Sequence, residues 1–135
     1  MAKNEVFKDA EGLSLPVATG VKSGTPLRIG ILNAVAQTDE GSVTNTNYVF
    51  AGIAQPTGGI GNGPGYATVK TTGAWIVTVT GSTTVGSAVY IKTDGTLTTA
   101  STGNFLWGVA LRASTAPATP VIVRILNPGQ TVASA

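Results

Sequence analysis

The chain has 135 residues, eight basic and six acidic, for a formal net charge of +2, and it contains neither histidine nor cysteine. That composition excludes disulfides, thiol chemistry, imidazole general bases and the usual zinc ligand sets. Beyond the N-terminal stretch the cations Lys22, Arg28, Lys70, Lys92, Arg112 and Arg124 stand singly, so nothing tracks a phosphate backbone and nucleic-acid binding is not expected.

The length suits one domain. No apolar run approaches the roughly 18 residues of a membrane span, and the opening MAKNEVFKDAEG lacks the apolar stretch of a signal peptide. Residues 1–12 hold Lys3, Glu5, Lys8, Asp9 and Glu11 around two apolar side chains, Val6 and Phe7. This segment reads either as a loose terminus or as a terminal arm that lies on a partner, with Val6 and Phe7 as small anchors. A single β-domain is expected over residues 13–126, followed by a C-terminal tail at 127–135.

From Leu13 the chain reads as short strands divided by turns. Leu13, Leu15 and Val17 share a face, and Pro16 is tolerable only if this is an edge strand or a strand start. A turn around Gly20 and Gly24 precedes Pro26 to Ile29, and Gly30 bends the chain before Ile31 to Ala36. The adjacent acids Asp39 and Glu40, followed by Gly41, read as a solvated turn. Ser42 to Val49 is polar and β-prone, with Ala51 to Ala54 as its weak continuation. Residues 56–65, PTGGIGNGPG, form a loop. Tyr66 to Thr71 and Ala74 to Thr80 then suggest a hairpin joined at Thr72-Gly73, with Trp75, Val77 and Val79 on one face.

The stretch from Gly86 to Arg112 is the centre of the pattern. Val89 and Ile91 alternate against Tyr90, and Asp94-Gly95 is a strong hairpin signal because glycine reaches positive φ without a steric penalty. Phe105, Trp107, Val109 and Leu111 follow on one predicted face and need a core. Val121, Val123 and Ile125 point inward from the last strand, which Asn127-Pro128-Gly129 ends. Eight to ten short strands without a helix predict an all-β fold, a small barrel or sandwich. A faint internal echo relates Ser23-Gly24-Thr25-Pro26-Leu27-Arg28-Ile29 to Val85-Gly86-Ser87-Ala88-Val89-Tyr90-Ile91, each followed by a strand ending near alanine.

Catalytic chemistry is sparse. Asp39, Glu40 and Asp94 sit beside glycines as turn residues, and the Gly-rich loop has neither the GK[ST] sequence nor the following helix of a phosphate cradle. No enzyme, metal or cofactor is expected. Trp75, Val77, Tyr90, Phe105, Trp107 and Val109 are assigned to the core or a subunit interface, and Gly24, Asp94 and Gly95 to turns.

The order SGTPLRIGILNAVAQTDEG, then VGSAVYIKTDGTLTTASTGNFLWGVALRAS, then VIVRIL resembles the capsid cement or head decoration proteins of tailed bacteriophages over roughly residues 13 to 126. The resemblance implies a β-rich virion protein on the outer surface of the expanded head. It implies clamping of major capsid subunits, as a homotrimer at local threefold positions; the terminal arm read from the residues, with Lys3, Val6, Phe7 and Lys8, is then the expected capsid-binding arm. A different reading is a carbohydrate-binding or adhesive β-module of a phage tail or cell surface, with Trp75, Tyr66 or Tyr90 as stacking platforms. A baseplate or tail-tube subunit shares the same composition.

Overall fold

A computed structural model describes residues 12–56, 62–115 and 117–127. The fold is all-β, as expected. Its strands are β1 (Gly12–Pro16), β2 (Pro26–Ile29), β3 (Leu32–Ala36), β4 (Thr44–Phe50), β5 (Ile53–Pro56), β6 (Tyr66–Lys70), β7 (Ala74–Thr80), β8 (Ala88–Ile91), β9 (Leu97–Thr98), β10 (Phe105–Ala110) and β11 (Ala118–Ile125). They form an open sheet β1-β6-β3-β2, a closed barrel β10-β11-β7-β9-β8, and a separate hairpin β4-β5.

The two larger sheets repeat one another. In the first, Leu13 faces Val69, Leu15 faces Ala67, and Ala36 faces Val69 across the next pair. In the second, Trp75 faces Val123, Val77 faces Val121, and Ala110 faces Val123. The bonds at the strand ends match as well. Gly24 donates to Ala36 O at 2.7 Å and Gly86 to Ala110 O at 2.8 Å; Ala36 donates to Thr25 O at 3.0 Å and Ala110 to Ser87 O at 2.8 Å. Glu40 donates to Val21 O at 2.8 Å where Ser114 donates to Thr83 O at 2.9 Å. The echo around Gly24 and Gly86 is therefore the visible part of a duplicated unit, β1-β2-β3-β6 and β7-β8-β10-β11. The units differ in what is inserted: β4-β5 and the Gly-Pro loop in the first, and β9 in the second.

Four local expectations change. β6 and β7 are strands but not a hairpin, because β6 pairs with β1 and β3 whereas β7 pairs with β11 and β9. Thr72-Gly73 is a crossover between units, and the end of β11 fastens it through Ile125 N–H to Gly73 O at 3.1 Å. Ala51 and Gly52 do not extend β4. Both have positive φ, 53° and 80°, which is the signature of a two-residue hairpin turn, and β5 folds back on β4. The row Phe105-Trp107-Val109-Leu111 is broken by a register shift between Leu106 and Gly108 in the β10–β8 pair. A bulge adds one residue to one strand and re-aims its side chains, so Trp107 enters the core while half-buried Val109 stays outside it, and Phe105 and Leu111 are exposed. Glu40, finally, is buried rather than solvated.

The main core fills the barrel. Val77, Val79, Val89, Ile91, Leu97, Trp107, Ala110, Val121, Val123 and Ile125 are buried together, with Val35 joining from the first unit and Trp75 against the edge. The alternation of β7, β8 and β11 builds it directly, since every second residue of each strand points inward.

Candidate functional site

The two units are locked across a polar joint. Asn33 on β3 donates through Nδ2 to Leu106 O at 3.0 Å and to Leu126 O at 2.6 Å. Asn127 accepts from Asn33 N–H at 2.7 Å and donates through Nδ2 to Asn33 O at 3.0 Å and Thr71 O at 2.8 Å. The Trp107 indole N–H reaches across to Leu27 O at 3.1 Å. Arg28 completes the joint, donating to Asn33 Oδ1 at 3.2 Å while its guanidinium lies 4.2 Å from the Phe105 ring centre.

Beside this joint lies a cleft of about 850 Å³, lined by Val17, Ala18, Arg28, Ile29, Lys92 and Phe105 among others. Its rim is apolar where Ile31, 70 % exposed, and Phe105, 48 % exposed, reach the surface. Such a surface has the character of a docking face rather than a reaction centre. Among the described residues no group of three His, Cys, Asp or Glu side chains could hold a metal ion, and no helix is long and apolar enough to cross a membrane.

A second polar knot anchors the chain on either side of the β4-β5 insertion. Glu40 Oε1 accepts from Gly65 N–H at 2.6 Å and Oε2 accepts from Ser42 N–H at 2.8 Å and from the Ser42 hydroxyl. Its carboxyl is held below the ordinary glutamate value by the Ser42 hydroxyl first and Gly65 N–H next, against an opposing effect of burial. A lowered folded-state pKa stabilises the fold above the unfolded value, and that contribution is lost as the pH falls through the folded one. Thermal unfolding followed by circular dichroism should therefore show the wild type losing stability below the ordinary glutamate range. Glu40→Gln should be less stable at neutral pH and converge on wild type in acid. Parallel pH profiles would refute this role.

The remaining predicted residues fall into distinct places. Asp94 Oδ1 accepts from Thr96 N–H at 3.0 Å and Thr96 Oγ1 at 2.7 Å, and Gly95, at φ 88°, makes the β8–β9 turn. Gly24, at φ 86°, makes the turn before β2, as Gly86 at φ 94° does before β8. Val77 and Trp107 are core residues, whereas Tyr90 is half-buried on the outer face of β8. Trp75 packs on the core with its indole N–H donated to Thr72 O at 3.0 Å, which leaves little of either tryptophan for stacking on a sugar. Lys3, Val6, Phe7 and Lys8 lie outside the described residues, as does most of the Gly-Pro loop. Asn33, Asn127 and the cleft were missed; the available signal was a polar side chain inside the apolar run Ile31 to Ala36.

A family model described as phage cement protein matches residues 7–125. The chain belongs to the phage cement protein family. No curated protein and no solved structure matches it. As a cement protein it has a structural, capsid-stabilising role and associates with the phage capsid in the virion.

Proposed function

We propose that this cement protein decorates the outer surface of the expanded head as a homotrimer at local threefold positions and bridges neighbouring major capsid subunits. The family match across residues 7–125 carries the reading. The exposed apolar side chains Ile31, Ile76, Val85 and Phe105 supply contact area on a body with few charges, and Lys3, Val6, Phe7 and Lys8 act as an arm on the capsid. Its effect is purely thermodynamic. A ligand that binds the assembled state alone stabilises that state by its binding free energy, and repetition over a shell multiplies weak contacts. Fluorescence-monitored heating of DNA-filled heads with and without the protein tests this. Decorated heads should release DNA at a higher temperature; identical release profiles would overturn the proposal.

A further inference from the structure

The duplication exposes a difference between the units that points to a binding groove. In the second unit β9 closes the barrel by pairing parallel to β7, Val79 to Leu97 and Thr80 to Thr98, and antiparallel to β8, Ile91 to Leu97 and Tyr90 to Thr98. The equivalents of Val79 and Thr80 in the first unit are Val17 and Ala18, and those of Tyr90 and Ile91 are Arg28 and Ile29, by the matching registers of β1-β6 with β7-β11 and of β2-β3 with β8-β10. All four line the 850 Å³ cleft. The first sheet is open at this place, with β1 and β2 as its two edges. The cleft is thus the position of β9 without its strand.

Burial tells the same story. Val79, Val89 and Ile91 are fully buried beneath Leu97, itself 2 % exposed, whereas their counterparts Val17, Leu27 and Ile29 are only half-buried. An edge strand offers unpaired backbone groups to an incoming extended chain. The bond from Lys92 N–H to Thr96 O at 2.9 Å sets the alternation of the β8–β9 pair, in which Tyr90 is the next residue to exchange bonds. Arg28 holds that position in the first unit.

We infer that the cleft between β1 and β2 takes one extended strand of a capsid subunit by β-augmentation, running parallel to β1 and antiparallel to β2. The internal template defines its chemistry: a large aliphatic side chain in the place of Leu97, followed by a β-branched polar residue in the place of Thr98. An acidic residue is favoured nearby, because Arg28 and Lys92 outnumber Asp94 among the charged side chains that line the cleft. The capsid as the source of the strand rests on the function proposed above; the groove does not.

The probe is the protein's own closing segment, Asp94 to Thr99 as a free capped peptide DGTLTT, titrated to millimolar concentration into the full-length protein and followed by amide chemical shifts. Saturable shifts confined to Val17–Ala18 and residues 28–30 are expected. They should be absent for the same peptide N-methylated at its last two residues, and binding should weaken at least tenfold in Arg28→Pro, which removes a backbone donor, and in Val17→Trp, which fills the groove. Circular dichroism checks that each variant folds, so either suffices. No shifts, or equal binding of the methylated peptide, overturns the groove. Expanded heads then test the source: both variants should lose at least tenfold in occupancy. Undiminished decoration by variants that no longer bind peptide overturns the capsid strand as occupant. A wild type that binds peptide but not heads overturns the proposed function and, with it, that source.

Discussion

Gly108→Ala is expected to destabilise the protein by about 3 kcal/mol, near the upper end of what overpacking a filled core costs. An added Cβ would stand 2.5 Å from Arg124 O and 2.7 Å from Val123 Cγ1, and neither can withdraw. The Arg124 carbonyl belongs to β11, which β7 holds on its far side, and Val123 is fully buried. The counterpart of Gly108 in the first unit is Ala34, opposite Leu27 as Gly108 is opposite Val89. A methyl group fits there because the first unit has no bulge. In β10 the extra residue carries Trp107 inward, and the backbone that follows is drawn onto β11. Urea unfolding followed by tryptophan fluorescence would report the loss. Gly63→Ala is the control, with nothing within 4 Å of its added Cβ, and should unfold with wild type. An unchanged midpoint for Gly108→Ala would mean that β10 and β11 are not in contact at this point.

The bulge also marks where sequence pattern stops being informative. Regular alternation carried the reading of β7, β8 and β11, because a strand with one buried face writes its geometry into every second residue. The Asp94-Gly95 turn was equally legible, since its backbone conformation demands those residue types. Gly73 is different. At φ 94° it uses the same conformational freedom as a hairpin glycine, yet its turn sends the chain into another sheet. Local chemistry is the same in both cases and only the pairing partners differ. Glu40 failed for a related reason: an acid beside glycine is ordinarily solvated, and its burial depends on Gly65, which sequence distance hides. The echo between Gly24 and Gly86 was legible because both units need the same turn before β2 and β8. The cleft was not, because it is the absence of a strand that the other unit possesses.

Asn33→Ala should be comparably severe, at about 3 kcal/mol, since it leaves the Leu106 and Leu126 carbonyls without the Nδ2 donor they share and buried orphans cost about 1–3 kcal/mol each. It also removes the acceptor that holds Arg28 beside Phe105, so the cleft wall should loosen with the fold. Asn33→Asp separates the hydrogen bonds from the volume. At neutral pH a carboxylate would face two carbonyl oxygens at a site only 4 % exposed, so the loss should be at least as large as for alanine. Arg28, 3.2 Å from the Oδ1 position, keeps an acceptor in this variant, so the loss reports the two Nδ2 bonds. Asn127→Ala breaks the reciprocal pair from the other side, and a double-mutant cycle of Asn33→Ala with Asn127→Ala should fall short of additivity, because either change alone dismantles the shared bonds. Strict additivity would mean that the two asparagines act independently. The units would then be joined mainly by Trp107 and the buried side chains around it, and the spacing of the cleft would no longer depend on this polar joint.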